Sequence, residues 1–208
     1  MTMRETLMKI RLLTFTCVCL VLPSAASGQT VLDWTGYDSE TCQAAVERVQ
    51  EQAPSQERAQ ALWELRLCGP GGAQALAGEL VRLSTSSDEG ALQGAYGPMA
   101  GLRDAVILDT ALRLAANTDA ALAARITAIR LLVSYEGAGN PFPTLASFTL
   151  GAPAELVVPS GPPPLEGAPL PPGWERVARE ALTAIVESPA NRGPVAQAAR
   201  WAASYFRG

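Results

Sequence analysis

Two kinds of side chain in this 208-residue sequence have types and spacings suited to chemistry: a pair of cysteines, Cys42 and Cys68, and a scatter of carboxylates. Most other groups used in catalysis are missing. There is no histidine, which removes Ser-His-Asp and Cys-His catalysis, His-ligated zinc and haem. Lys9 is the only lysine and lies near the N-terminus, so the body of the chain has no Schiff-base, acylation or phosphate-loop lysine. No G-x-S-x-G occurs, no G-x-G-x-x-G opens a helix, and no run offers the oxygen ligands of a calcium loop. No metal or cofactor is expected. The remaining chemistry is that of two acids flanking a cleft, as in glycoside cleavage. Asp104 with Asp109, or Glu136 with Glu155, are the candidates. Solvated or helix-paired carboxylates are the plainer reading of all four.

The cysteines point to a crosslink. Ser39–Gln52 and Ser55–Cys68 read as two helices broken at Ala53-Pro54. Counting from Pro54, Cys42 lies 12 residues back (54 − 42) and Cys68 14 forward (68 − 54). At about 1.5 Å rise per residue, antiparallel helices bring them to nearly the same level. A metal site would lack further ligands, and a reactive thiol is the other alternative, so a structural disulfide is favoured.

An oxidising compartment is implied by the first 28 residues. Arg4, Lys9 and Arg11 precede the apolar run Leu12–Leu22, Pro23 ends it, and Ser24-Ala25-Ala26-Ser27-Gly28 offers small residues for cleavage after Ala26 or Gly28. This is the build of a secretory signal. A spanning helix needs about 20 apolar residues, and Cys17 and Cys19 lack the preceding small residue of lipoprotein signals. The expectation is a periplasmic or secreted protein, residues 29–208, with no stable membrane anchor after cleavage. The net charge of −4 becomes about −6 once three leader cations and Glu5 are gone. With no stripe of arginines, nucleic acid is not an expected partner.

The elements that position these residues read as helices. Ala and Leu dominate the apolar content and are strong helix formers, which predicts an all-α fold. Beyond the first two helices, the apolar spacing predicts helices over Pro70–Ser84, Met99–Asn117, Asp119–Glu136, Trp174–Glu187 and Pro194–Phe206. Thr85–Pro98 reads as a Ser/Gly-rich break enclosing at most one turn. Asn140–Gly173 is too proline-rich for helix, though Phe142, Phe148, Leu150 and Leu156–Val158 suit a small hairpin across Gly151-Ala152-Pro153.

Three helices share a pattern: Arg58–Leu65 (RAQALWEL), Arg125–Leu132 (RITAIRLL) and Ala196–Ala203 (AQAARWAA). The aligned small residues Ala61, Ala128 and Ala199 are 67 (128 − 61) and 71 (199 − 128) positions apart, room for two helical hairpins or for one with an insertion. The pattern resembles the second helix of HEAT-type repeats, with Asp119 and Ala124-Arg125 at that family's acidic-turn and arginine positions. The resemblance implies an α-solenoid of about three to four hairpins with a concave binding surface. An irregular helical bundle is the alternative.

The resulting expectation is an exported, non-catalytic binding or scaffold module for a protein, peptide or cell-envelope component. The alternatives are a carboxylate-based glycan hydrolase or lyase, or a structural subunit of an envelope assembly. Specific recognition is expected in the Pro-rich insertion 140–173, through Phe142, Phe148, Leu156, Val158 and Trp174, unless the segment folds back as a cap. Trp63 and Trp201, equivalent in the repeat, read as core rather than as a ligand platform.

Overall fold

A computed structural model of the chain describes residues 38–51, 55–134 and 165–206. The leader expected over residues 1–28, Glu136, Glu155, Phe142, Phe148, Leu156, Val158 and the hairpin expected across Gly151 lie outside them. The described residues fall within one compact unit, 32–208.

Among the described residues eight helices carry the fold: α1 (Ser39–Gln50), α2 (Ser55–Leu65), α3 (Gly69–Arg82), α4 (Glu89–Met99), α5 (Ala105–Ala116), α6 (Leu122–Val133), α7 (Trp174–Glu187) and α8 (Pro194–Ala203). Short 3-10 turns follow α3 (Leu83–Thr85) and precede α8 (Pro189–Asn191). The described residues are all-α apart from a two-residue parallel pairing of β1 (Leu102–Arg103) with β2 (Leu165–Glu166).

Local chemistry sets the helix ends. Asp38, Asp88 and Asp104 each cap a helix by accepting N–H groups of its first turn. In α7, Trp174, Ala178, Leu182 and Ile185 form the buried stripe, while Arg176 and Glu180 pair on the outside at 2.9 Å.

Three expected boundaries are corrected. The break expected over Thr85–Pro98 contains α4, started by the Asp88 cap and fixed by burial of Leu92, Ala95 and Met99. The helix expected over Met99–Asn117 starts only at Ala105, because Gly101 turns the chain at φ 74° and Asp104 caps the new helix. The helix expected from Asp119 starts at Leu122, with no side-chain cap; the Ala121 N–H donates instead to the Ser84 carbonyl at 2.8 Å.

The principal contacts follow a simple order. α1 packs on α2, α3 on α4, α5 on α6 and α7 on α8. Across these pairs, α1, α3, α5 and α7 touch in succession, as do α2, α4, α6 and α8, and α2 also packs on α3. One apolar core runs from Ala45 to Phe206. Helix α6 is buried on every side from Ala124 to Val133, including Arg125, Thr127 and Arg130.

Candidate functional site

Of the four carboxylate candidates, Asp104 and Asp109 lie within the described residues, and both have partners. Asp104 is 1% exposed. Its Oδ1 accepts the Val106 and Ile107 N–H groups at 2.8 and 3.3 Å, and its Oδ2 accepts the Ala168 N–H at 2.7 Å. Asp109 is on the exposed side of α5, 3.1 Å from Arg113. The two acids do not face one another across a cleft. Glu64 pairs with Arg48, and Glu166 lies 3.6 Å from Arg103.

A second buried acid, Glu79, was not singled out by the sequence. It is buried between α2 and α3, taking Arg58 Nη2 at 2.7 and 2.6 Å on its two oxygens and Arg82 Nε and Nη2 at 2.7 and 2.8 Å. Burial raises its pKa, but the hydrogen bonds and charges of Arg82 and Arg58 outweigh this, and the net pKa lies below the ordinary 4.5. The Arg58–Glu79 pair spans 21 residues, beyond the reach of local pattern reading. Among the described residues, no group of three or more His, Cys, Asp or Glu is placed to hold a metal ion, and no helix is long and apolar enough to cross a membrane.

Cys42 and Cys68 form the expected disulfide, with Cα atoms 5.8 Å apart and both residues fully buried. The bond fastens α1 to the α2–α3 corner. That corner is tight: a Cβ on Gly72 would fall 1.9 Å from the Leu65 carbonyl oxygen and 2.8 Å from Cys68 Cβ.

The aromatic residues divide differently from the expectation. Trp174 is 7% exposed and packs edge-to-face on Phe206 at 5.7 Å. It belongs to the core, because it opens the buried stripe of α7, and presents no ring to a partner. Trp63 goes the other way: it is 42% exposed. Its ring lies against α4, where a Cβ on Gly97 would come 3.2 Å from Trp63 Cζ2. One turn earlier, the position of a Cβ on Gly94 has only open space around it. The surface of α2 and α4 therefore carries a partly exposed indole resting over Gly97. Trp201 is half-buried and stacks edge-to-face on Tyr205 at 5.1 Å.

Buried arginines tie the elements together. Arg66 Nη1 donates to the Pro98 and Ala100 carbonyls at 2.6 and 2.8 Å, joining α2 to the end of α4. Arg125 Nε donates to the Ala115 carbonyl at 3.0 Å, and its Nη2 donates to Asn191 Oδ1 at 2.6 Å. Arg130 stacks over the Tyr96 ring at 4.3 Å. Burial lowers the pKa of both Arg66 and Arg125.

No family model, no curated protein and no solved structure matches the chain.

Proposed function

We propose that the chain is an exported, non-catalytic helical-repeat scaffold of HEAT type, whose four hairpins stack in two layers and bind a protein, peptide or cell-envelope component. The observation that carries this reading is the succession of contacts, odd-numbered helices with odd and even with even. In a stack of helical hairpins each unit meets only its neighbours, so this order is the expected one. Helix α4 also supplies a missing period. Ala61, Ala95 and Ala128 are 34 (95 − 61) and 33 (128 − 95) residues apart, and all three are buried on α2, α4 and α6. Ala199 on α8 continues the series after the insertion.

The engagement of Asp104, Asp109 and Glu79 with backbone or arginine groups weighs against a carboxylate-pair hydrolase. A partly exposed Trp63 over Gly97 suits a binding surface, since a rigid indole offers a large contact area at low entropic cost.

The test is crosslinked capture from envelope extracts by residues 29–208, compared with a Trp63→Ser variant of matched melting temperature. A crosslinked partner lost in the variant supports the reading. Turnover of a glycan library that disappears on substituting one carboxylate overturns it.

A further inference from the structure

The described residues on either side of 135–164 meet a single corner, Gly101–Ala105. On the departing side, the buried Ser134 Oγ accepts the Gly101 N–H at 3.1 Å and donates to the Leu131 carbonyl at 2.9 Å. On the returning side, Leu165 and Glu166 pair in parallel with Leu102 and Arg103. The Gly167 N–H then donates to the Arg103 carbonyl at 3.0 Å, the Ala168 N–H to Asp104 Oδ2 at 2.7 Å, and the Ala105 N–H to the Ala168 carbonyl at 3.1 Å. The fit leaves no room for a side chain at Gly167, where a Cβ would sit 2.3 Å from Asp104 Oδ2 and 2.7 Å from Asp104 Cβ. Only Pro169–Gly173 then separate the corner from Trp174, which begins α7 and packs on Phe206.

We infer that this corner is an insulating clip, with Asp104 as its positioning residue: it isolates residues 135–164 from the α7–α8 hairpin, so that cutting or exchanging that interval leaves the hairpin docked. The chemistry supports a clip. Asp104 has one oxygen on the first turn of α5 and the other on the returning strand, so a single buried carboxylate holds both at once. Each bond it accepts comes from a backbone N–H, whose burial without a partner is unfavourable. A disturbance arriving along the chain from residue 164 meets the paired and hydrogen-bonded stretch Leu165–Ala168 before it reaches α7. The inference does not depend on what the protein binds.

A specific protease site placed between Gly151 and Ala152 tests it, read by hydrogen exchange of peptides covering Trp174–Glu187 before and after the cut. In the otherwise unaltered protein, exchange is expected to stay within about twofold of the uncut form. Asp104→Asn keeps one oxygen for the α5 cap but turns an amide group toward Ala168; Gly167→Ala attacks the clip from the other strand, its added methyl pressing on Asp104 Oδ2 and Cβ. In each, compared with its own uncut form, the cut is expected to speed α7 exchange about tenfold or more. Faster α7 exchange on cutting the unaltered protein would overturn the inference, as would two variants whose α7 exchange ignores the cut.

Discussion

Arg125 and Asn191 lie 66 residues apart in sequence, and the Arg125 Nη2 donates to the Asn191 Oδ1 at 2.6 Å. Both are buried, and the bond carries α6 across to the turn that introduces α8. Arg125 also holds the Ala115 carbonyl at the end of α5, so one guanidinium joins three elements. Arg125→Ala leaves an amide and a carbonyl buried without their partner, and is expected to destabilise the protein by about 2–4 kcal/mol. This corresponds to a fall in melting temperature on the order of 10 °C. Asn191→Ala is expected to cost less, and the double variant less than the sum, by about 1 kcal/mol or more of coupling. Additive losses in a urea-unfolding cycle would show that the pair does not act as a unit.

The Cys42–Cys68 bond closes a loop with a sequence separation of 26. In the chain-entropy model a loop of that size contributes about 3.5 kcal/mol. The Cys42→Ser, Cys68→Ser double variant is expected to lose roughly that much in chemical denaturation. Mass spectrometry of alkylated, unreduced protein lacking residues 1–28 is expected to find no free thiol. Two alkylated cysteines would remove the crosslink from the account.

Glu79 makes stability depend on pH on the acid side. Its pKa is lower folded than unfolded, so the unfolded chain binds the proton more readily. The contribution is therefore fully present above the unfolded value, near 4.5, and is lost as the pH falls through the lower folded value. Urea unfolding between pH 7 and pH 3 is expected to show stability declining below about pH 4.5, with part of that slope missing in Glu79→Gln. An unchanged slope in the variant would contradict the role given to the Arg58–Glu79–Arg82 cluster.

Exposure separates the two tryptophans aligned in the repeat. Trp63→Ala is expected to destabilise by less than about 3 kcal/mol, below the range for a fully buried tryptophan, since the residue is 42% exposed. Gly97→Ala pushes a methyl toward Cζ2 and is expected to shift the near-ultraviolet circular dichroism while the helical signal stays constant. A loss of several kcal/mol in Trp63→Ala would place the ring in the core.

The features legible in the sequence are those that rest on local spacing. The ends of α7 follow from its apolar stripe, from Gly173 before it and from Ser188 after it. The disulfide follows from levels counted along two antiparallel helices. Helix α4 was hidden because Gly90, Gly94, Gly97 and Pro98 are poor helix formers, and its existence depends on tertiary burial of Leu92, Ala95 and Met99. The 34- and 33-residue spacing of Ala61, Ala95 and Ala128 was present in the sequence, but that composition obscured it. The Asp104 clip and the Arg58–Glu79 pair join residues distant in sequence, and a two-residue parallel pairing has no periodic signature. Trp63 reads as core from the repeat pattern; its ring rests over Gly97 of α4, on another helix, and the residue stays 42% exposed.

The most direct test of the repeat-stack account is native-state hydrogen exchange, resolved helix by helix. A stack of neighbour-coupled hairpins opens from its ends. With α1 stapled by the disulfide, α7 and α8 are expected to exchange at the lowest free energy and α3–α6 at the highest, and Arg125→Ala is expected to loosen α7 and α8 further without touching α2 and α3. A single common opening free energy for all eight helices, lowered equally everywhere by Arg125→Ala, would show one cooperative bundle and contradict the account.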